Sequence, residues 1–175
     1  MNLTVKYLGN VENWCNISFD SYDANPLYYA ENVYFNGELI TNLVIPDTVT
    51  EIKPYAFSGY TSLESVTVSE GVKSIGERAF SWCTKLTDLT IGNGVKSIGE
   101  GAFYECTNLA ELTVPSTVPF ESVGVNAFEK TQLVFDVEYP TEEEIDIPIV
   151  RPPWGPIKGE DFIIDSDDLI DLNGV

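Results

Sequence analysis

Apolar positions in the middle of the chain recur with a period of about 23 residues. The phrases IKPYAF, IGERAF, IGEGAF and VGVNAF end at Phe57, Phe80, Phe103 and Phe128, so the Ala-Phe pairs are 23, 23 and 25 residues apart. A fixed period of this length predicts a solenoid, because one repeat cannot bury its apolar side alone and stacked neighbours complete a shared core. The predicted fold class is a β-rich solenoid of parallel stacked strands.

Each repeat is predicted to contain one strand, one bend and one turn. Residues 63–85 and 86–108 are identical at 13 of 23 positions, and residues 40–62 keep the same apolar frame. The segment VTV at 66–68 alternates, and its β-branched side chains favour a strand with Thr67 facing outward. The stretch around Ala79-Phe80 is too short for a stable helix, so a single turn is expected there. The inward positions are expected to be Leu63, Val66, Val68, Val72, Ile75, Ala79 and Phe80, with Leu86, Leu89, Ile91, Val95, Ile98, Ala102 and Phe103 on the next repeat.

The ends of the chain depart from the period. Residues 1–39 lack it and are rich in aromatic residues, and we interpret them as an N-terminal cap that covers the first repeat. Within this region Asn36-Gly37 separates two strand-like pieces and predicts a hairpin. Residues 40–140 are predicted to hold the repeats and, at 133–140, a capping strand. Residues 141–175 form a Pro-rich and acidic tail.

The tail admits two interpretations. It contains RPPWGP at 151–156, followed by EDFIIDSDDLIDL at 160–172, in which acidic and apolar residues are mixed. Such mixing is typical of a disordered segment that docks on a partner. The alternative is a tail folded back on the solenoid by its own apolar residues.

The charge of the chain limits its partners. Asp and Glu total 28 against 9 Lys and Arg, a net charge of −19, and residues 136–175 carry 12 acidic and 2 basic residues. Such a surface repels nucleic acid and anionic membranes and attracts cationic groups. We therefore expect a protein partner with a basic surface, and no direct binding of nucleic acid or membrane. The oligomeric state is not predicted.

Little in the sequence points to catalysis. The chain has no histidine, which excludes His-based triads and His zinc sites. Cys83 and Cys106 occupy equivalent repeat positions and are expected to be buried thiols on adjacent rungs, with a strained disulfide as the alternative in an exported protein. No phosphate-binding loop or metal-ligand spacing occurs, and DSDDLID at 165–171 lacks the central Gly and closing Glu of an EF-hand loop. No enzyme activity, cofactor or metal is predicted.

The outward positions of the strands are the predicted partner-binding site. They form one column of Asn42, Ser65, Asp88 and Glu111 and a second of Val44, Thr67, Thr90 and Thr113. The sheets of solenoids are their usual binding surfaces. Thr also suits any exposed strand, which is the structural explanation of the second column. In the tail, the candidate binding residues are Trp154, Phe162, Asp165, Asp167 and Asp168.

The segment GVKSIGERAFSWCTKLTDLTIGNGVKSIGEGAFYECTNLAELTVP closely resembles the BspA-type leucine-rich repeats of bacterial and protist surface proteins. The element YLGNVENWCNI resembles the tyrosine-glycine-tryptophan segment often found beside those repeats. The resemblance covers about residues 1–135 and implies adhesion or protein–protein contact.

Two functions are consistent with these observations. The first is a protein-binding module without catalysis. The second is a small acidic inhibitor of phage or mobile-element type, resembling an anti-CRISPR protein, that blocks the basic groove of a nucleic-acid-binding enzyme by imitating phosphate charge. The expected location is the cytoplasm if Met1 is the native start, and the cell surface or the medium if an export signal was removed.

Overall fold

Short strands recur through the chain in this computed structural model, which describes residues 3–113 and 122–133. The elements in order are β1 (Leu3–Tyr7), α1 (Val11–Cys15), two 3₁₀ segments (Tyr22–Ala24 and Pro26–Tyr29), β2 (Ala30–Phe35), β3 (Glu38–Leu39), β4 (Asn42–Ile45), β5 (Glu51–Ile52), β6 (Ser65–Val68), β7 (Ser74–Ile75), β8 (Asp88–Ile91), β9 (Ser97–Ile98) and β10 (Glu111–Thr113).

The first strand of each repeat joins one parallel sheet. Its order is β10-β8-β6-β4, and each residue pairs with the residue 23 positions along the chain. Along β4, β6 and β8 the second and fourth residues are buried, whereas the third is exposed. The alternation of apolar and polar residues therefore sets the orientation of every strand, and the predicted solenoid is confirmed. We call the outward side of these four strands the sheet face.

A second parallel sheet was not predicted from the sequence. It consists of β5, β7 and β9, each only two residues long, and Val123 extends it by a bridge to Ile98. Strands of two residues show no alternation that a sequence pattern could reveal. Each repeat consequently turns through two strands instead of the single predicted one.

The predicted inward positions form the core. All fourteen of them are buried. The phenylalanines Phe57, Phe80, Phe103 and Phe128 stack with ring centroids 5.1, 5.3 and 5.2 Å apart and with nearly parallel planes. The stack follows the rung spacing of a parallel sheet, about 4.8 Å, so the rings of Phe80 and Phe103 are covered on both faces.

Two positions in every repeat adopt a left-handed backbone conformation. Tyr55, Arg78, Gly101 and Asn126 occupy the first position, with φ between 49° and 58°. Gly59, Trp82, Glu105 and Lys130 occupy the second, with φ between 60° and 73°. Because six of these eight residues carry a side chain, the turns hold a conformation that an isolated peptide disfavours.

Residues 3–39 build a separate three-stranded sheet. Strand β1 pairs parallel with β2, and β2 pairs antiparallel with β3. The predicted hairpin is confirmed: Asn36 and Gly37 both have positive φ, as a type I′ turn requires. Behind it, the rings of Tyr7, Trp14 and Phe35 make edge-to-face contacts at 4.9 to 5.8 Å.

This N-terminal region supplies hydrogen bonds that the first repeat cannot obtain from a preceding rung. Between rungs the backbone N–H of one turn donates to the next, as Phe57 does to the Ala79 carbonyl at 2.7 Å. The Ala56 carbonyl, equivalent to that of Ala79, instead accepts from the Trp14 indole at 2.6 Å and from the Asn25 side-chain amide at 2.9 Å. The side chains of Trp14 and Asn25 thus replace the backbone N–H that a preceding rung would donate.

Two predictions fall wholly or largely outside the described residues. These are the capping strand at 133–140, of which only Leu133 is described, and the tail at 141–175. The boundaries assigned to cap, repeats and tail stay predictions. In the described parts of the chain, no helix has the length and apolar character needed to cross a bilayer.

Substituting Gly94 by Ala is expected to lower the free energy of unfolding by about 3 kcal/mol, a large overpacking penalty. An added Cβ would lie 1.6 Å from the carbonyl oxygen of Glu70, which belongs to the backbone of the neighbouring rung and cannot move aside. Chemical denaturation followed by circular dichroism measures the change.

Gly101→Asn is the matched control. Its φ is left-handed, yet a Cβ there has no neighbour closer than 3.4 Å, and Asn126 already occupies the equivalent position. We expect a change within about 1 kcal/mol. Equal losses in the two variants would contradict the account of rung contact at Gly94.

Candidate functional site

The sheet face brings four of the predicted binding residues into one column. Asn42, Ser65, Asp88 and Glu111 pair in register across β4, β6, β8 and β10. The Ser65 hydroxyl donates to the side-chain oxygen of Asn42 at 2.7 Å. The column changes from neutral polar groups to carboxylates toward the C-terminal end of the described sheet.

A second column runs parallel to the first, two residues further along each strand. It consists of Val44, Thr67, Thr90 and Thr113, which are also in register. All four are exposed, and Val44 leaves 59% of its surface in contact with solvent. The face therefore combines an apolar position at one end with hydroxyl groups repeated at the rung spacing.

The two carboxylates of the first column are neighbours of equal charge. Asp88 and Glu111 are directly paired on adjacent strands, and both are exposed. The ion pairs found within 3–113 and 122–133 are Lys53–Glu51 and Arg78–Glu77, and neither involves the sheet face. Like charges directly opposite each other are unfavourable, so a cationic group from a partner would relieve this repulsion.

The cysteines are buried and carry free thiols. The Cys83 thiol donates to the Phe57 carbonyl at 3.3 Å, and the Cys106 thiol donates to the Phe80 carbonyl at 3.1 Å. Burial, followed by the neighbouring Cys106, holds the pKa of Cys83 well above its ordinary value. Burial likewise raises the pKa of Cys15 to about 12. All three thiols are buried packing groups, and the raised pKa of Cys15 and Cys83 disfavours the reactive thiolate form at those two positions.

Metal-binding side chains do not converge in the described residues. No group of three or more Cys, Asp or Glu side chains there has an arrangement that could hold an ion. The candidate tail residues Trp154, Phe162, Asp165, Asp167 and Asp168 lie outside the described residues. The structure thus brings together only the candidates on the sheet face, and their role in binding stays a prediction.

One partly exposed feature was missed by the sequence analysis. Three aromatic side chains lie in the 3₁₀ segments of the N-terminal region and two on turns of the repeats, and we call them the aromatic ridge: Tyr22, Tyr28, Tyr29, Trp82 and Tyr104. Trp82 precedes the buried Cys83, and Tyr104 follows the buried Phe103. Large aromatic residues at these outward positions of the turn were the signal in the sequence that could have predicted this surface.

The described geometry agrees with comparisons against known proteins. The model of the BspA-type leucine-rich repeat region matches residues 29–146 in six copies. A leucine-rich repeat protein of T. pallidum is similar at 31% identity and a TM-score of 0.51, over 54% of this chain and 46% of that one. A leucine-rich repeat protein from Bacteroides ovatus shares the fold at 24% identity and a TM-score of 0.50, over 61% of this chain and 28% of that one.

These matches extend over part of each relative. The chain spans less than half the length of either solved protein. No curated protein matches the chain.

The three thiols are expected to resist alkylation by iodoacetamide at pH 8 in the folded protein, because all three are buried and the reagent cannot reach them. Mass spectrometry should find no adduct in native buffer and three adducts in guanidinium chloride. Thr67→Cys, which places a thiol on the sheet face, is the positive control and should gain one adduct in native buffer. Native labelling of Cys83 or Cys106 at the rate of the introduced thiol would contradict the assignment.

Proposed function

Because this chain belongs to the BspA-type leucine-rich repeat family, we propose that it is a non-enzymatic protein-binding module whose partner contacts the sheet face. Leucine-rich repeat proteins generally bind other proteins and do not catalyse reactions, and no catalytic family matches the chain. The family supports the class of function. The choice of surface rests on this chain's own side chains.

The observation that carries the proposal is the pair of in-register polar columns on the sheet face. Their side chains are mostly Asn, Ser and Thr, which have few rotatable bonds and lose little entropy when a partner orders them. The strands hold these groups at a repeated spacing of about 4.8 Å. A partner therefore meets a preorganised row of hydrogen-bonding groups.

The carboxylates at one end of the face favour a basic partner. Asp88 and Glu111 lie side by side without an ion pair to the described part of the chain. The net charge of −19 adds a long-range field that attracts cationic surfaces and raises the rate of encounter. Charge complementarity at this end would also set the orientation in which the partner binds.

Reversing the charge of the face by Asp88→Lys together with Glu111→Lys is expected to weaken partner binding by about tenfold or more, as loss of close charge pairs does. The full chain is immobilised, proteins are captured from bacterial lysate and eluted with rising salt, and the affinity of each captured protein is then measured with the variants.

Glu31→Lys together with Glu38→Lys provides the matched control. These exposed residues lie on β2 and β3, away from the sheet face. Each of the four changes adds two charges to one residue, so either double variant takes the net charge from −19 to −15. Equal effects of the two double variants would reject the sheet face as the binding surface and leave only a general effect of charge.

Competition with nucleic acid tests the inhibitor hypothesis in the same experiment. An inhibitor that imitates phosphates must release its enzyme when DNA or RNA occupies the basic groove. Displacement of the captured protein by DNA or RNA at low salt would favour that function. Retention of the partner in their presence would favour a binding module that recognises protein alone.

A further inference from the structure

The aromatic ridge comprises two aromatic clusters, one in the N-terminal region and one on the second and third repeats. Tyr28 lies 4.9 Å from Tyr22 and 5.1 Å from Tyr29 by ring centroids. It also packs on Gly59, where an added Cβ would lie 2.5 Å from the Tyr28 ring. Trp82 occupies the position equivalent to Gly59 on the next rung, and its ring lies 6.2 Å from that of Tyr104. The ridge thus runs from the N-terminal region to the third repeat.

Three residues of the ridge expose large aromatic side chains to solvent. Tyr22, Tyr29 and Trp82 leave 45%, 54% and 40% of their surface in solvent. The Arg78 guanidinium lies over the Tyr104 ring, 5.6 Å from its centroid. Clustered exposed aromatic residues mark interaction sites, and Tyr, Trp and Arg are the residues most enriched at binding hot spots.

Carboxylates border the ridge on the same turns. Glu100 immediately precedes the left-handed Gly101, and Glu105 follows Trp82 in its column, one rung further. Glu77, which precedes Arg78, accepts a hydrogen bond from the Tyr55 hydroxyl at 2.9 Å. A ligand suited to this surface has flat apolar groups for the rings and a cation for the carboxylates.

We propose that residues 148–156 of this same chain, which read PIVRPPWGP, dock on the aromatic ridge. They contain four of the ten prolines of the chain together with Arg151 and Trp154. Proline-rich segments favour the extended polyproline II conformation, and surfaces lined with aromatic side chains recognise them at low entropic cost. Arg151 supplies the positive charge that pairs with the carboxylates of Glu100 and Glu105. The ridge is separate from the sheet face, so this inference does not rest on the proposed function.

The chain between the solenoid and this segment is long enough for docking within one molecule. Leu133 is the last described residue, and residue 148 follows 15 positions later, a span of up to about 50 Å when extended. The rungs from the N-terminal region to the fourth repeat cover about 20 Å at the spacing of a parallel sheet. A tether of this length gives an effective concentration on the order of millimolar, so weak contacts suffice.

The test uses the full chain labelled with 5-fluorotryptophan. Its three tryptophans give three fluorine resonances, which Trp82→Phe and Trp154→Phe assign. A soluble gadolinium chelate then reports how far each ring is exposed. Docking predicts that Trp82 and Trp154 are both protected in the wild-type chain, and that Pro152→Ser together with Pro153→Ser removes the protection of both.

Matched variants separate docking from general effects on the chain. Asp165→Asn with Asp167→Asn alters the tail outside the segment and should leave both rings protected. Tyr104→Ser should expose Trp154, whereas Val44→Ser on the sheet face should not. Circular dichroism and the unfolding midpoint establish that the solenoid remains folded in each case.

Three outcomes would overturn the proposal. Equal exposure of Trp82 in the wild type and the double proline variant would show that the segment does not cover it. Protection that disappears on dilution would assign the contact to a second copy of the chain. Protection of Trp82 only after oligosaccharides are added would assign the ridge to a glycan.

Discussion

The stacking of one rung on the next at a constant register governs this structure. Phe57, Phe80 and Phe103 each donate a backbone hydrogen bond of 2.7 or 2.8 Å to an alanine carbonyl on the following rung, while their rings stack in the core. Both contacts require equivalent atoms to lie one rung apart, and the fourth repeat meets this requirement with two additional residues. The period therefore fixes the path of the backbone through two strands and a turn, and it leaves only the outward side chains free to differ.

That freedom is used differently on two sides of the solenoid. On the sheet face, the outward residues other than Val44 are polar, and one column ends in the carboxylates of Asp88 and Glu111. On the turns, the outward residues include Trp82 and Tyr104, whose rings contact each other, and the N-terminal region adds a cluster of three tyrosines. The same backbone thus presents one surface suited to hydrogen bonding and charge, and another suited to aromatic packing.

The parts that sequence reasoning predicted are those controlled by local or periodic patterns. The repeat core, the outward columns and the Asn36-Gly37 hairpin follow from spacing, alternation and turn chemistry. The two-residue strands β5, β7 and β9 could not be predicted, since they are too short to alternate. The contact of Trp14 and Asn25 with Ala56 joins residues 42 and 31 positions apart outside any period. The aromatic ridge likewise joins residues of the repeats to residues of the N-terminal region, which no repeat alignment can relate.

The capping of Ala56 has a consequence for how the array can change length in evolution. The carbonyl of the first rung is already occupied by the Trp14 indole and the Asn25 amide. A duplicated repeat inserted ahead of this rung would separate those partners and leave a foreign rung against the N-terminal sheet. A copy inserted after it would meet only equivalent rungs. Duplication or deletion can therefore change the number of repeats after the first one, whereas the first repeat must be kept.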